Sequence, residues 1–193
     1  DKHSKSLDDC FKAWPCGLLI RFRLGKVGII ADIEKAFLQV VLQESERDVT
    51  RFFWLKDPKV PSIEPNNLTV YRFTRVPFGM VCSPFLLGAT IMHHLTRSTS
   101  KFTEQIRRSF YVDNLIATCD NEEEALSLHA EAKRIFNEAS MALRQWSTSS
   151  PRVQSHFAKE DQARYTRVKV LGLSWETTTD KMFVPCPPEE KLL

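Results

Sequence analysis

The apolar positions of this chain fall into short compact runs and one long periodic stripe, a pattern that predicts strands and a few helices. Lys26 to Ala31 is a continuous apolar run that reads as a buried strand, and Leu38 to Leu42 continues it after a brief turn. Val49 to Leu55 (VTRFFWL) and Leu68 to Thr74 (LTVYRFT) are rich in aromatic and β-branched residues. Asp57-Pro58 through Asn67 lies between them, so a hairpin with a long polar loop is expected. Arg107 to Val112 and Leu115 to Cys119 form a second pair of β-forming runs around a tight turn. Arg167 to Trp175 and Lys181 to Val184 read as two last strands joined by a Thr-rich turn ending in Asp180.

Two helices interrupt these strands. Ser83-Pro84 places an N-cap residue before a proline at the first helical position, and Phe85 to Leu95 is apolar on most faces, as a buried helix would be. Asn121 can cap a second helix with Glu124 three residues on, and Glu122, Glu123 and Glu124 sit at the positive end of its dipole. Ala125, Leu128, Ala132, Ile135, Phe136 and Ala139 recur at helical spacing, while His129 and Lys133 lie off the stripe and are expected in solvent. The first 25 residues show no clear periodicity, Ser147 to Pro151 reads as a polar connector, and Pro185-Cys186-Pro187-Pro188 reads as an exit linker. Hairpins alternating with two substantial helices give an α+β class, an antiparallel sheet backed by helices.

Composition narrows the class only a little. A chain of 193 residues with 42% hydrophobic and 26% charged positions buries a real core as one domain, or one domain with a small subdomain. No apolar run approaches a membrane span, and Asp1 to Cys10 is too polar for a secretory signal, so an intracellular, cytoplasmic protein with no membrane partner is expected. The five cysteines (Cys10, Cys16, Cys82, Cys119, Cys186) are scattered, without paired zinc spacing, which points to reduced thiols. A net charge of +3 hints at a polyanionic partner and decides nothing alone.

Chemistry enters at Tyr111-Val112-Asp113-Asn114, an acid at the tip of a strand-turn-strand unit. Taken alone the tetrapeptide is ordinary turn chemistry, because Asp and Asn are favoured in two-residue hairpin turns. A second segment, Ile29-Ile30-Ala31-Asp32-Ile33-Glu34-Lys35-Ala36-Phe37, also ends an apolar run on an acid. Two carboxylates at neighbouring strand ends can hold divalent cations for phosphoryl transfer, and a bound cation removes the cost of placing them beside apolar residues.

Asp32 with Phe37, Val76-Pro77-Phe78-Gly79-Met80 with Ser83-Pro84, Tyr111-Val112-Asp113-Asn114, and Leu171-Gly172 occur in an order that resembles reverse transcriptases. The match is closest to retroelements of the BEL/Pao type, through Arg21-Phe22-Arg23-Leu24, Ala31 to Leu38 and Ser109 to Asn114. The resemblance implies a reverse transcriptase fragment over residues 1–193. Its palm core would fall at about 26–48 and 80–184 and partial fingers at about 49–79, with thumb, RNase H and integrase absent. It implies RNA-directed DNA synthesis with two Mg2+ or Mn2+ ions, on an RNA or DNA template with primer, from dNTPs, inside a virus-like particle.

The same resemblance implies Asp32, Asp113 and Asn114 as the catalytic set, with Asp32, Asp113 and the carbonyl of Ile33 as metal ligands. Lys35 and Ala36 would offer amides to the triphosphate, and Phe37 would gate against a ribose 2′-hydroxyl. Phe78 and Gly79 would lie along the nascent base pair, and Tyr111, Leu171 and Gly172 would meet the primer. Bland readings stand beside three of these: core packing for Phe37, and an ordinary hairpin turn for Leu171-Gly172. Asn114 departs from the double-Asp form and lacks the charge that helps hold a hard cation, so weakened metal binding is expected. Where these enzymes often place a proton-donating Lys, this chain has Arg144, whose pKa above ~12 makes it a poor donor. Two further readings remain: a non-catalytic derivative that keeps the fold and binds nucleic acid, and a two-metal nuclease recruiting Glu34. A hydrolase built on His93, His94 or His156 lacks a nucleophile motif.

Overall fold

The computed structural model describes residues 15–184, so Cys10, Cys186 and the Pro185–Pro188 linker lie outside the described residues. Helix α1 (Pro15–Phe22) precedes β1 (Val27–Ile33), a helical turn α2 (Ala36–Gln39) and a 3-10 segment at Glu44–Thr50. The hairpin β2 (Arg51–Leu55) and β3 (Leu68–Arg72) follows, then α3 (Ser83–Leu95), α4 (Thr103–Arg108) and the hairpin β4 (Phe110–Tyr111) and β5 (Asn114–Cys119). Helix α5 (Glu122–Glu138), β6 (Leu143–Thr148), α6 (Pro151–His156) and the strands β7 (Arg167–Val170), β8 (Leu173–Glu176) and β9 (Lys181–Phe183) complete the order.

Among the described residues two compact units separate, one running up to Glu34 and again from Ile91, the other Lys35–Thr90. The first unit holds a four-stranded sheet in the order β4-β5-β1-β6 and a three-stranded sheet β7-β8-β9. Every pair is antiparallel, as the α+β expectation required. Strand β1 (VGIIADI) is buried almost throughout because it is central and covered on both faces. One face carries Ile30 and Ile116 into a cluster with Leu18, Phe22, Val170 and Trp175. Gly28 permits this packing: a Cβ there would meet the rings of Phe22 and Trp175 at 3.0 Å. By strand alternation Ile29, Ala31 and Ile33 face the other way, the side on which α5 packs its buried stripe of Ala125, Leu128, Ala132, Ile135 and Phe136.

Helix α5 begins as its sequence dictates. Asn121 Oδ1 accepts the Glu124 N–H at 2.8 Å, and Glu124 reaches back to the Asp120 N–H at 2.8 Å. The second unit is built on the β2-β3 hairpin, in register from Arg51–Arg72 to Leu55–Leu68, as the sequence predicts.

Several local expectations are corrected. The opening region contains α1, whose Leu18 and Phe22, four residues apart, are the buried side chains that a periodicity over longer windows hides. Leu38 to Leu42 is no strand: Ala36–Gln39 makes a helical turn and only Val41 bridges to Arg75. Arg107 and Arg108 belong to α4, where both pair with Glu104 one turn earlier, and this leaves β4 with two residues. Ser83 lies inside α3 and its buried hydroxyl donates to the Pro77 carbonyl at 2.7 Å, so it is no N-cap. Arg167 to Trp175 is broken into β7 and β8 by Leu171 and Gly172, with φ 49° and 89°. The Ser147–Pro151 connector is in fact the end of β6, followed by Ser150, whose Oγ accepts the Val153 N–H and caps α6.

His129 and Lys133 are only partly exposed, and each has a partner within the protein. His129 packs 4.5 Å from the rings of both Trp146 and Phe157, and burial with the nearby Lys133 charge pushes its pKa down to about 4. Lys133 Nζ sits 2.5 Å from the buried carboxylate of Asp161. Cys16, Cys82 and Cys119 are free thiols, and no described helix is long and apolar enough to cross a membrane.

Candidate active site

The central sheet brings the two predicted acids to one end of one pair of strands. Asp32 on β1 is the cross-strand partner of Asn114 on β5, and the Ile33 N–H donates to the Asp113 carbonyl at 2.9 Å. The β1-β5 register runs unbroken from Val27–Cys119 to Asp32–Asn114, so Asp32 and Asn114 share the face of Ile30 and Ile116. A one-residue slip of either strand would turn Asp32 to the opposite face.

Val112 and Asp113 form the turn, with Tyr111 paired to Asn114. This alters the bland turn reading. Val112 occupies φ 56°, a left-handed conformation that a β-branched residue resists, while Asn114, the residue best suited to it, already belongs to β5. Ordinary turn chemistry would put Asn or Gly where Val stands. Strain of this kind costs on the order of 1–3 kcal/mol and concentrates at functional sites.

The electrostatics agree with two acids in one place. Partial burial, and then the neighbouring Asp113 charge, push the Asp32 carboxyl up from 3.8 to about 6. Asn114 Nδ2 donates to Asp113 Oδ1 at 2.7 Å, so the amide meets part of the charge that a cation would otherwise neutralise. Two hard oxygen donors in mutual repulsion fit a divalent cation. Among the described residues no group of three or more His, Cys, Asp and Glu side chains gathers here, and Ile33 contributes a buried side chain beside the pair. Glu34, the acid a nuclease reading would need, pairs instead with Arg144 at 3.3 Å.

The remaining predicted residues lie on their own elements. In the second unit Lys35 is exposed with φ 51°, Ala36 and Phe37 are buried, and Phe37 packs edge-on to Phe78 with centroids 4.8 Å apart. Phe78 is otherwise 70% exposed, and Gly79 turns the chain at φ 89° with open space where a Cβ would stand. In the first unit Tyr111 is exposed on β4, and Leu171 and Gly172 form the two-residue turn joining β7 to β8. His94, set aside on sequence grounds, hydrogen-bonds the Ile135 carbonyl at 2.7 Å, a packing role. Sequence reasoning missed Asp161, a buried carboxylate shared by Lys133 and Arg144, because nothing in the local pattern separates it from a surface acid.

An antiparallel sheet backed by helices, with paired carboxylates at a central strand end and a hairpin tip, defines a polymerase palm-like fold. The chain belongs to the reverse transcriptase (RNA-dependent DNA polymerase) family, whose pattern matches residues 16–173. Among solved structures it is similar to a foamy viral protease-reverse transcriptase in complex with dsDNA, at 20% identity and a TM-score of 0.52, covering 80% of this chain and 27% of that one. It is also similar to a foamy viral protease-reverse transcriptase in complex with an RNA/DNA hybrid, at 19% identity and a TM-score of 0.56, covering 88% of this chain and 18% of that one. The chain therefore spans well under a third of the proteins whose fold it shares. No curated protein matches it.

Proposed function

We propose that this chain is the palm, with part of the fingers, of an RNA-directed DNA polymerase of a BEL/Pao-type retroelement. In this reading it extends a primer 3′-hydroxyl with dNTPs on an RNA or DNA template, in the cytoplasm. The observation that carries the reading is the convergence of Asp32 and Asp113, where partial burial and then the Asp113 charge push Asp32 up to about 6. Asp32, Asp113 and the Ile33 carbonyl would hold two Mg2+ or Mn2+ ions. Bound there, such ions supply activation of the attacking hydroxyl and neutralisation of the leaving oxygen.

The chain's own residues do the rest. Lys35 and Ala36 amides bind the triphosphate, Phe37 excludes a 2′-hydroxyl, and Phe78 and Gly79 support the new base pair. Tyr111, Leu171 and Gly172 orient the primer end. Residues of about 26–48 and 80–184 would form the palm and about 49–79 the fingers. The test is metal-dependent primer extension by the wild-type chain and by Asp32→Ala, Asp113→Ala and Asn114→Asp. Both alanine variants lose extension, and Asn114→Asp works at lower metal concentration. Extension that survives loss of either Asp overturns the reading.

One observation favours a second reading, a non-catalytic derivative that retains the fold and binds nucleic acid. The Asn114 amide already occupies one Asp113 oxygen, in the place where a double-Asp enzyme carries charge. Nucleic-acid binding by a wild-type chain that neither extends primers nor gains activity from Asn114→Asp would select it.

A further inference from the structure

We propose that Asp161 is a positioning residue which, through Arg144 and Glu34, fixes the chain as it leaves β1 toward Lys35 and Ala36. Its functional consequence rests on the polymerase reading above; the device itself rests on side-chain geometry. Asp161 is 2% exposed, and its two oxygens are divided between Lys133 of α5 and the Arg144 guanidinium of β6. Burial alone would push its carboxyl up, but the two cations outweigh that and hold it below the usual range. The carboxylate is thus an ionised anchor tied to the helix that backs the sheet.

Arg144 uses its remaining reach on the other side. Its Nε donates to Glu34 Oε2 at 3.3 Å, while its backbone is the cross-strand partner of Asp32. The register between β1 and β6 shifts by one residue here, with Gln145 and Trp146 set against Ala31 alone and Gln145 at φ 54°. A bulge at such a place re-aims the strand end beside it. A planar guanidinium serves two carboxylates at once, which a lysine ammonium on a flexible stem does poorly. An exposed ion pair such as Arg144–Glu34 would add little if both partners had to be ordered for it. Asp161 has already ordered one of them.

What this restrains is a strained backbone turn. The Glu34 N–H donates to the Ala142 carbonyl at 2.9 Å, and the next residue, Lys35, turns left-handed at φ 51° without a capping side-chain bond. A non-glycine residue stays in that region only where its surroundings over-determine it. The Arg144–Glu34 bridge is a side-chain restraint at the residue before the turn.

The experiment compares the wild-type chain with Arg144→Gln, Glu34→Gln, their double variant and Asp161→Asn. It reads amide hydrogen exchange at residues 33–37 and, separately, steady-state dNTP incorporation. In Arg144→Gln, exchange at Ile33 and Glu34, whose amides are hydrogen-bonded beside the turn, rises about tenfold while Ile29 and Ile30 stay protected. The dNTP KM rises about tenfold with kcat nearly unchanged, a loss of orientation rather than of chemistry. The double variant is no worse than Arg144→Gln, since Arg144→Gln already removes the bridge that Glu34→Gln breaks. Should Asp161→Asn fail to fold, Arg144→Gln carries the test, because the Arg144 side chain is 38% exposed. A folded Arg144→Gln with wild-type exchange at Ile33 and Glu34 overturns the proposal, as does a fall in Tm with exchange and KM unchanged. Faster exchange in a chain whose wild type never incorporates dNTPs sinks the polymerase reading and leaves the positioning role standing.

Discussion

Two residues concentrate the cost of the candidate site. Asp32 has a folded-state pKa raised from 3.8 to about 6, so the native chain prefers it protonated and its ionisation opposes folding. That cost is absent below about pH 4, grows between pH 4 and 6, and is complete above pH 6. Asp32→Asn should therefore stabilise the metal-free chain above pH 6, on the order of 2 kcal/mol, with the gain vanishing near pH 4. Urea denaturation across that range checks it. On the two-metal site proposed above, the same sign predicts that Mg2+ raises the wild-type Tm at pH 7.5 but not near pH 5, because the ion competes with a proton. Val112 carries the second cost, a left-handed β-branched residue in a two-residue turn. Val112→Asn should raise stability by about 1 kcal/mol and, on the polymerase function proposed above, slow primer extension, since the turn then relaxes where Asp113 would be aimed.

At the scale of elements, the site depends on β1 being central and thin. Gly28→Ala pushes a methyl against Phe22 and Trp175, the rings that join α1 to the three-stranded sheet, and should cost about 1–3 kcal/mol by overpacking. Asn121→Ala removes the cap of α5 and should cost about 1 kcal/mol, read as a lower denaturant midpoint with unchanged slope. These elements were unequally legible. The α5 stripe and its cap stand out because helix periodicity and capping are local properties. Helix α1 did not, since two turns with two buried positions give too short a period, and α4 was hidden by β-forming neighbours.

Across the molecule, the second unit exposes the side chains of its hairpin on both faces. Phe53 is 71% exposed, Trp54 58%, Val70 53% and Tyr71 49%. An isolated two-stranded hairpin is marginal in water, and an apolar patch of this kind promotes association. The 193-residue chain should therefore self-associate with rising concentration, and Phe53→Ser with Trp54→Ser should suppress this without lowering the Tm of the first unit. Size-exclusion chromatography over a concentration series, with thermal denaturation, tests both halves.

The sequence by itself determined the class of this protein. Ordered motifs around Asp32, Phe78-Gly79 and Asp113, together with alternating strand runs, pointed to an antiparallel sheet with acids at strand ends, because period and turn chemistry are written locally. Only the tertiary structure decided that Asp32 and Asn114 are cross-strand partners, that Val112 rather than Asn114 bears the turn's strain, and that Asp161 is buried between Lys133 and Arg144. Register, burial and charge pairing join residues far apart in the chain, and their energies depend on distances that no local pattern encodes.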